Sequence, residues 1–384
     1  ARPVAAAADP GAAVSEATYH IGDVFDVMAT LPDDSVDLVL TSPPFLALRS
    51  YLPADHPDKA KEIGSEPTPA EFIDTLLALT AEWDRVLAPH GSICVELGDT
   101  YAGSGGGGGD YLPGGLREDQ PGFGGSAERQ REGNAAHWRA KNAQRDAWPL
   151  DKSLTGIPTL YAWSLAYGRN LLTGEPSPAG QWRIRNVVAW VRPNPPVGAL
   201  GDKFRPGTSY ITMACKARDR WFDLDDVRTA LTDRALAELA AGGVTGGESY
   251  QGEAADGSGY SGARIRRPAD GGGAPPLDWW QVSTEPYSGS HYATWPRKLL
   301  ERPIRAMCPS EVCRTCGEPR RRIVERDAEP VEANLRSRGD RKRDGRGDES
   351  GVGNYGGFTT TTTTTLGFTD CGHGSWCCRT CKVL

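Results

Sequence analysis

Val36-Asp37-Leu38-Val39-Leu40-Thr41-Ser42-Pro43-Pro44-Phe45 is the stretch on which the fold turns. Apart from Asp37 its opening residues are apolar, and such a run suits a strand buried on both faces of a parallel sheet. It stops in a rigid Ser-Pro-Pro loop, and ligands of open α/β sheets bind beyond the carboxyl ends of strands. Upstream, the pattern predicts a short strand at Tyr19 and Ile21, a helix from Val24 to Leu31 and a turn at Pro32-Asp33-Asp34. Downstream, Phe72, Leu76, Leu79, Trp83, Val86 and Leu87 recur at helical spacing behind a capped start, Thr68-Pro69-Ala70-Glu71. After Pro89-His90-Gly91, Ser92 to Leu97 reads as a second buried strand closing on Gly98-Asp99.

Beyond this strand-helix-strand unit, residues 103–150 are Gly-rich and polar, too long for a simple connection, and read as an insertion beside the site. Order resumes at Gly156-Ile157-Pro158 with a helix from Thr159 to Tyr167. Trp182 to Val191 alternates apolar and polar residues and runs into Arg192-Pro193-Asn194-Pro195-Pro196. Tyr210 to Lys216 and Trp221-Phe222-Asp223 read as two strands of a hairpin. Residues 235–273 turn to Ala, Gly and Glu, as a variable surface module does, and Trp279-Trp280 restart order. A helix follows from Pro296 to Met307, then a cysteine-rich tail interrupted by the low-complexity run Thr359 to Thr365.

With 384 residues, 24% charged and 38% hydrophobic, the chain can bury a large core. Its 47 glycines and 29 prolines are clustered without period, which excludes a collagen-like chain. A formal charge of -7 excludes a globally basic polyanion binder, so any basic face is local. Candidates are Arg264, Arg266 and Arg267 and the arginine-rich stretch from Arg320 to Arg346, where acids alternate and a solvated loop is the competing reading. No run of eighteen apolar residues predicts a membrane span and no signal peptide is recognisable, so a cytoplasmic protein is expected.

The chemistry that Ser42-Pro43-Pro44-Phe45 allows is specific. An exocyclic amine of a nucleobase is a poor nucleophile because its lone pair is delocalised into the ring. Hydrogen-bond acceptors can draw it toward tetrahedral geometry. The Ser42 hydroxyl and the Pro43 carbonyl are such acceptors, and proline has no competing amide hydrogen. Phe45 can stack on a base flipped out of a duplex. Residues 19–51, with Gly22-Asp23, Leu31-Pro32-Asp33 and the Pro-Pro loop, resemble the opening of the permuted β-class DNA amino-methyltransferases. Gly156-Ile157-Pro158, Asn186 to Pro195, Phe222-Asp223 and His291-Tyr292-Ala293-Thr294-Trp295-Pro296 follow in that family's order.

The resemblance implies a permuted, incomplete Rossmann-like α/β fold that binds S-adenosylmethionine and acts on double-stranded DNA by base flipping. It assigns Ser42, Pro43, Pro44 and Phe45 to catalysis, and Asp23, Thr294 and Pro296 to the cofactor. Ser in the first motif position is what cytosine-N4 members usually carry, where adenine-N6 members more often carry Asp, so transfer to cytosine N4 is expected. Capping of the helix from Val24 is the plain alternative for Asp23, and an ordinary helix start is that for Thr294-Trp295-Pro296. The family continues with a strand and an Asp-Pro-Phe-x-Gly-x-Gly cofactor loop. Lys382-Val383-Leu384 reads as the start of that strand, so a truncation before the loop is expected. Either a complementing chain makes it good or the chain is inactive alone.

Seven of the nine cysteines lie between Cys308 and Cys381. Cys313-x-x-Cys316-Gly317 has the shape of a zinc knuckle. By spacing, either Cys371-Gly372-His373 or Cys378-x-x-Cys381 could return the second pair. The resemblance favours Cys313, Cys316, Cys371 and His373 around a structural zinc, in a zinc-ribbon-like insert.

The expected organisation is a tail (1–17), a catalytic half (18–102), a Gly-rich insertion (103–150) and a continuation of the core (151–229). A variable target-recognition region (230–290), a cofactor-side helix (291–307) and the zinc-ribbon-like insert with the start of the cofactor strand (308–384) complete it. The rival functions are transfer to adenine N6 and a non-catalytic, zinc-containing DNA-binding remnant. Besides DNA, a complementing chain or a restriction endonuclease are the alternative partners, and no membrane partner is expected.

Overall fold

The computed structural model describes residues 18–48, 52, 56–102, 145–195, 202–229, 275–286, 294–313, 315–330, 359–373 and 376–377. Gly105 to Gly109, Arg264 to Arg267, His291 to Ala293, Cys378, Cys381 and Lys382 to Leu384 lie outside them, as do most of the two expected insertions. The chain divides into two compact units. The first lies within Ala1–Phe222, Leu277–Pro319 and Ser375–Leu384, the second within Asp223–Pro276 and Arg320–Gly374.

The first unit is built on β1 (Val36–Thr41), whose residues Val36 to Leu40 are all buried. Helix α1 (Val24–Thr30) precedes it. Asp23 caps α1, its Oδ1 accepting from the amides of Phe25 (2.9 Å) and Asp26 (3.3 Å). Helix α2 (Pro69–Val86) is capped by Thr68, whose hydroxyl accepts from Glu71 N at 3.2 Å, with proline at the first turn. Its apolar stripe buries Phe72, Ile73, Leu76, Leu77 and Val86 completely, each contributing roughly 1.5–3 kcal/mol relative to exposure.

From α2 the chain passes directly into β2 (Leu87–Leu97), parallel to β1. The strand starts before the expected Ser92: Pro89-His90-Gly91 lies within β2, whose pairing with β1 shifts register between Val36 and Leu38. At that irregular end His90 Nε2 meets Asp37 Oδ1 at 2.8 Å, both side chains buried.

Strands β3 (Arg183–Val191) and β4 (Thr208–Cys215) form an antiparallel hairpin, and β4 also pairs antiparallel with β2. Strand β5 (Trp279–Gln281) lies parallel to β3, giving the order β1-β2-β4-β3-β5. The sheet is therefore mixed, and β1, β2 and β3 point their carboxyl ends the same way. Two expectations are corrected. Trp221 to Asp223 is not a strand: Trp221 N donates to His90 O (2.9 Å), and β3 takes the place beside β4. Tyr19 and Ile21 form no strand either; they are 86% and 99% exposed, without a ladder to join among the described residues.

Helix α3 (Ile157–Tyr167) ends on Gly168 in the left-handed region. It is tied to α2 by a buried hydrogen bond between Tyr161 Oη and Thr80 Oγ1, 2.8 Å. Burial pushes the Tyr161 phenol well above the usual tyrosine range. Helix α4 (Arg297–Met307) buries Leu299, Pro303, Ala306 and Met307. Strand β6 (Val312–Cys313) pairs antiparallel with β9 (Trp376–Cys377).

In the second unit, β7 (Arg322–Pro330) and β8 (Thr359–Phe368) make an antiparallel hairpin. The threonine run thus lies in a strand, as the β-branched side chain favours. Arg322 forms a salt bridge with Asp223 at 2.9 Å, which raises the guanidinium pKa through the hydrogen bond to that carboxylate. No helix among the described residues is long and apolar enough to cross a membrane.

Candidate active site

Ser42-Pro43-Pro44-Phe45 leaves the carboxyl end of β1, with Ser42 exposed and Pro43 buried. Because β2 runs parallel alongside, its last residues arrive at the same edge. Ser42 Oγ donates to Glu96 Oε2 at 2.6 Å. Glu96 is 1% exposed, in a run from Ile93 to Leu97 that is otherwise apolar. Trp295 Nε1 donates to the same oxygen at 3.2 Å. Among the described residues, Glu96 Oε1 has no hydrogen-bond partner. A buried carboxylate oxygen left without a donor costs about 1–3 kcal/mol or more, so the arrangement suits a site where a ligand supplies the donor.

The end of β3 brings Arg192 to this edge. Its amide donates to Gly207 O (2.7 Å), its Nη1 reaches Ser209 Oγ (3.4 Å), and its guanidinium carbon lies 4.9 Å from the Trp190 ring centroid. Burial lowers the Arg192 pKa, and the charge of Glu96 opposes that shift. Arg192 Nε is also buried without a partner among the described residues. A carboxylate and a guanidinium, each with an unused polar atom among the described residues, thus stand at the same edge of the sheet.

Two glycines shape the wall. A Cβ on Gly98 would lie 2.5 Å from Phe45 Cε2, so the ring packs directly on backbone. Gly64, at φ +89°, would place a Cβ 2.9 Å from Phe45 O. Its carbonyl accepts from Ala47 N and its amide donates to Glu66 Oε2, both at 2.8 Å. Burial holds the Glu66 carboxyl above its usual range. Beyond Gly98, Asp99 accepts from Thr155 Oγ1 (2.5 Å) and Gly156 N (3.0 Å), fastening the start of α3 to the end of β2.

Of the sequence-predicted residues, Thr294 and the buried Pro296 are the chain neighbours of Trp295, whose indole reaches Glu96. Asp23 is engaged as the cap of α1, its Oδ1 held by the amides of Phe25 and Asp26. Glu96 and Arg192 were not singled out from sequence. The available signal was a carboxylate in the buried run Ser92 to Leu97.

On the first unit, Cys313 and Cys316 hold their Sγ atoms within 4.8 Å of each other. The turn is closed by Gly317 N donating to Cys313 O (2.9 Å) with Gly317 at φ +74°, and Thr315 N donates to Cys313 Sγ at 3.4 Å. On the second unit, Cys371 Sγ and a ring nitrogen of His373 also lie within 4.8 Å of each other.

Residues 36–312 match the sequence profile of the DNA methylase family of N6 and N4 type, from the start of β1 to β6. The chain belongs to the DNA methylase family. This DNA methylase is 25% identical over 284 residues to the Type II methyltransferase M.Cfr9I of Citrobacter freundii, covering 74% of this chain and 70% of that protein. It is 27% identical over 300 residues to M.XycI of Xanthomonas campestris pv. cyanopsidis, covering 75% and 72%. Among solved structures it is similar to the PvuII DNA methyltransferase (cytosine-N4-specific), with TM-score 0.34 and 15% identity over 76% of this chain and 70% of that one.

Proposed function

We propose that this DNA methylase transfers a methyl group from S-adenosylmethionine to the exocyclic amine of a flipped base, cytosine N4, in double-stranded DNA. The observation that carries the reading is the Ser42–Glu96 hydrogen bond at the carboxyl end of β1, with a second carboxylate oxygen of Glu96 unused. In this role Phe45 stacks on the base and the Pro43 carbonyl accepts one amino hydrogen. The Ser42 hydroxyl accepts the other and passes its own proton to Glu96 as the N–C bond forms and the C–S bond breaks, the electron pair staying on sulfur. Serine rather than aspartate at position 42 supports cytosine.

The cofactor is cationic at sulfur, and the unpartnered anionic oxygen of Glu96 beside Trp295 fits such a group. When bound, S-adenosylmethionine supplies the methyl group. Thr294 and Pro296 would hold it from the α4 side, and Asp23 is the proposed contact from α1. The test is digestion of unmethylated DNA to nucleosides after incubation with the full chain and S-adenosylmethionine. N4-methyldeoxycytidine is expected by mass spectrometry. N6-methyldeoxyadenosine would replace the cytosine assignment, and neither product would overturn the reading.

Cys313 and Cys316, with Cys371 and His373, are the proposed ligands of a structural zinc. The amide-to-sulfur bond on Cys313 and the left-handed Gly317 fit a thiolate knuckle. Metal analysis of the purified chain should find about one zinc per chain, and Cys316→Ser should abolish it. A metal-free protein that retains its thermal midpoint in chelator would refute the assignment.

A further inference from the structure

The strand ends that carry the pocket continue into a rim that the chemistry leaves unused. From Gly98 the chain runs through Thr100 and Tyr101 to Ala102 against residues 152–155, held by Thr155 N to Thr100 O (2.9 Å) and by Ala102 N to Ser153 O (2.8 Å). Tyr101 bridges Leu154, and Lys152 sits at φ +71°, a sparsely populated conformation for a side chain of its kind. Residues 202–205, which lead into β4, lie on this platform. Lys203 Nζ stands 3.6 Å from the centroid of the Tyr101 ring, and Asp202 accepts from Lys152 Nζ at 3.0 Å. The next residue, Phe204, is 98% exposed, and Leu150 across the platform is 85% exposed. Lys203 and Arg205 flank the phenylalanine.

An aromatic side chain held fully in water between two cations, on an ordered platform, suits a partner with an anionic backbone and stacked rings. Tyr101 is three residues beyond Gly98, the wall on which Phe45 packs. At no more than about 3.6 Å per residue it stands within roughly 11 Å of the pocket, about three base-pair rises. A duplex delivering a base to Phe45 is therefore within reach of this rim.

We infer that Lys203, Phe204 and Arg205 form a contact with duplex DNA beside the flipped base. Lys203 and Arg205 face phosphates, and Phe204 lies against the base stack that flipping opens. These side chains read no base edge, so the contact adds affinity without sequence preference. The inference rests on the proposed methyl transfer to DNA.

The test measures methylation of unmethylated mixed-sequence DNA by the full chain and, separately, anisotropy of a fluorescein-labelled mixed-sequence duplex. Phe204→Ala should raise KM for DNA about tenfold and weaken duplex binding, leaving KM for S-adenosylmethionine unchanged. Lys203→Ala should lower the slope of log affinity against log salt by about one, and Lys203→Arg should restore it. Wild-type values in both variants would overturn the inference. If the wild-type chain makes no methylated nucleoside, the proposed function fails and duplex binding alone decides. The same two losses then support the contact, and unchanged binding, or none by the wild type, refutes it.

Discussion

Glu96→Gln is expected to lower the rate of methyl transfer by about 10²–10³-fold, with little change in KM for DNA. The amide keeps the shape of the side chain and can still accept from Ser42 and Trp295, the two donors on Glu96 Oε2. What it cannot do is carry negative charge or take up a proton. The substitution therefore separates the positioning of Ser42 from what the charge does, as proton acceptor and as partner of the cofactor's sulfonium. Because it removes a charge that is 1% exposed with one oxygen unpartnered, the variant should fold with a midpoint at or above that of the parent. Single-turnover rates under saturating DNA and cofactor are the measurement. A variant within threefold of the parent would show that Glu96 only orients Ser42.

The second large effect lies at the other end of the same two strands. His90→Ala should destabilise the fold by about 3 kcal/mol, because it strips the imidazole from an Asp37 carboxylate that is 1% exposed. Asp37 is five residues from Ser42 along β1, roughly 16 Å in an extended strand. Activity per folded molecule should consequently stay at the parental level while the urea midpoint falls. In the double variant with Asp37→Ala much of the loss should be recovered, since the buried charge goes too. A change under about 1 kcal/mol, the range of an exposed pair, would mean that the pair is not buried in solution.

The two predictions also mark what could be read in advance. The Thr68 cap, the stripe from Phe72 to Val86 and the buried run ending at Ser42 are local patterns, and each forms the element its spacing implies. Ser42 to Phe45 could be singled out because a loop of that composition has distinctive chemistry on its own. Glu96 could not, since its meaning depends on the parallel pairing of β1 with β2, which places Thr41 opposite Val95. One residue of register would turn the carboxylate to the other face. Trp221 and Phe222 look as strand-like as Val187 and Val188. The sheet takes the latter, and which of two apolar segments pairs with β4 is settled by tertiary contacts that no window of sequence contains. Asp23 shows the opposite limit: its capping role was legible, while a cofactor role requires a ligand.

The bonds on Glu96 differ in how much chain they enclose. Ser42 is 54 residues away and Trp295 is 199. Closing the longer loop costs about 1 kcal/mol more in chain entropy. The serine contact belongs to a strand-helix-strand unit that can form early, whereas the tryptophan arrives only when α4 docks. The pocket should therefore be the last part of the sheet's edge to be finished in folding and the first to come apart on warming. Such a protein would stop working while most of its secondary structure still stood, and its useful lifetime would be set by the hold of one helix rather than by the melting of its core.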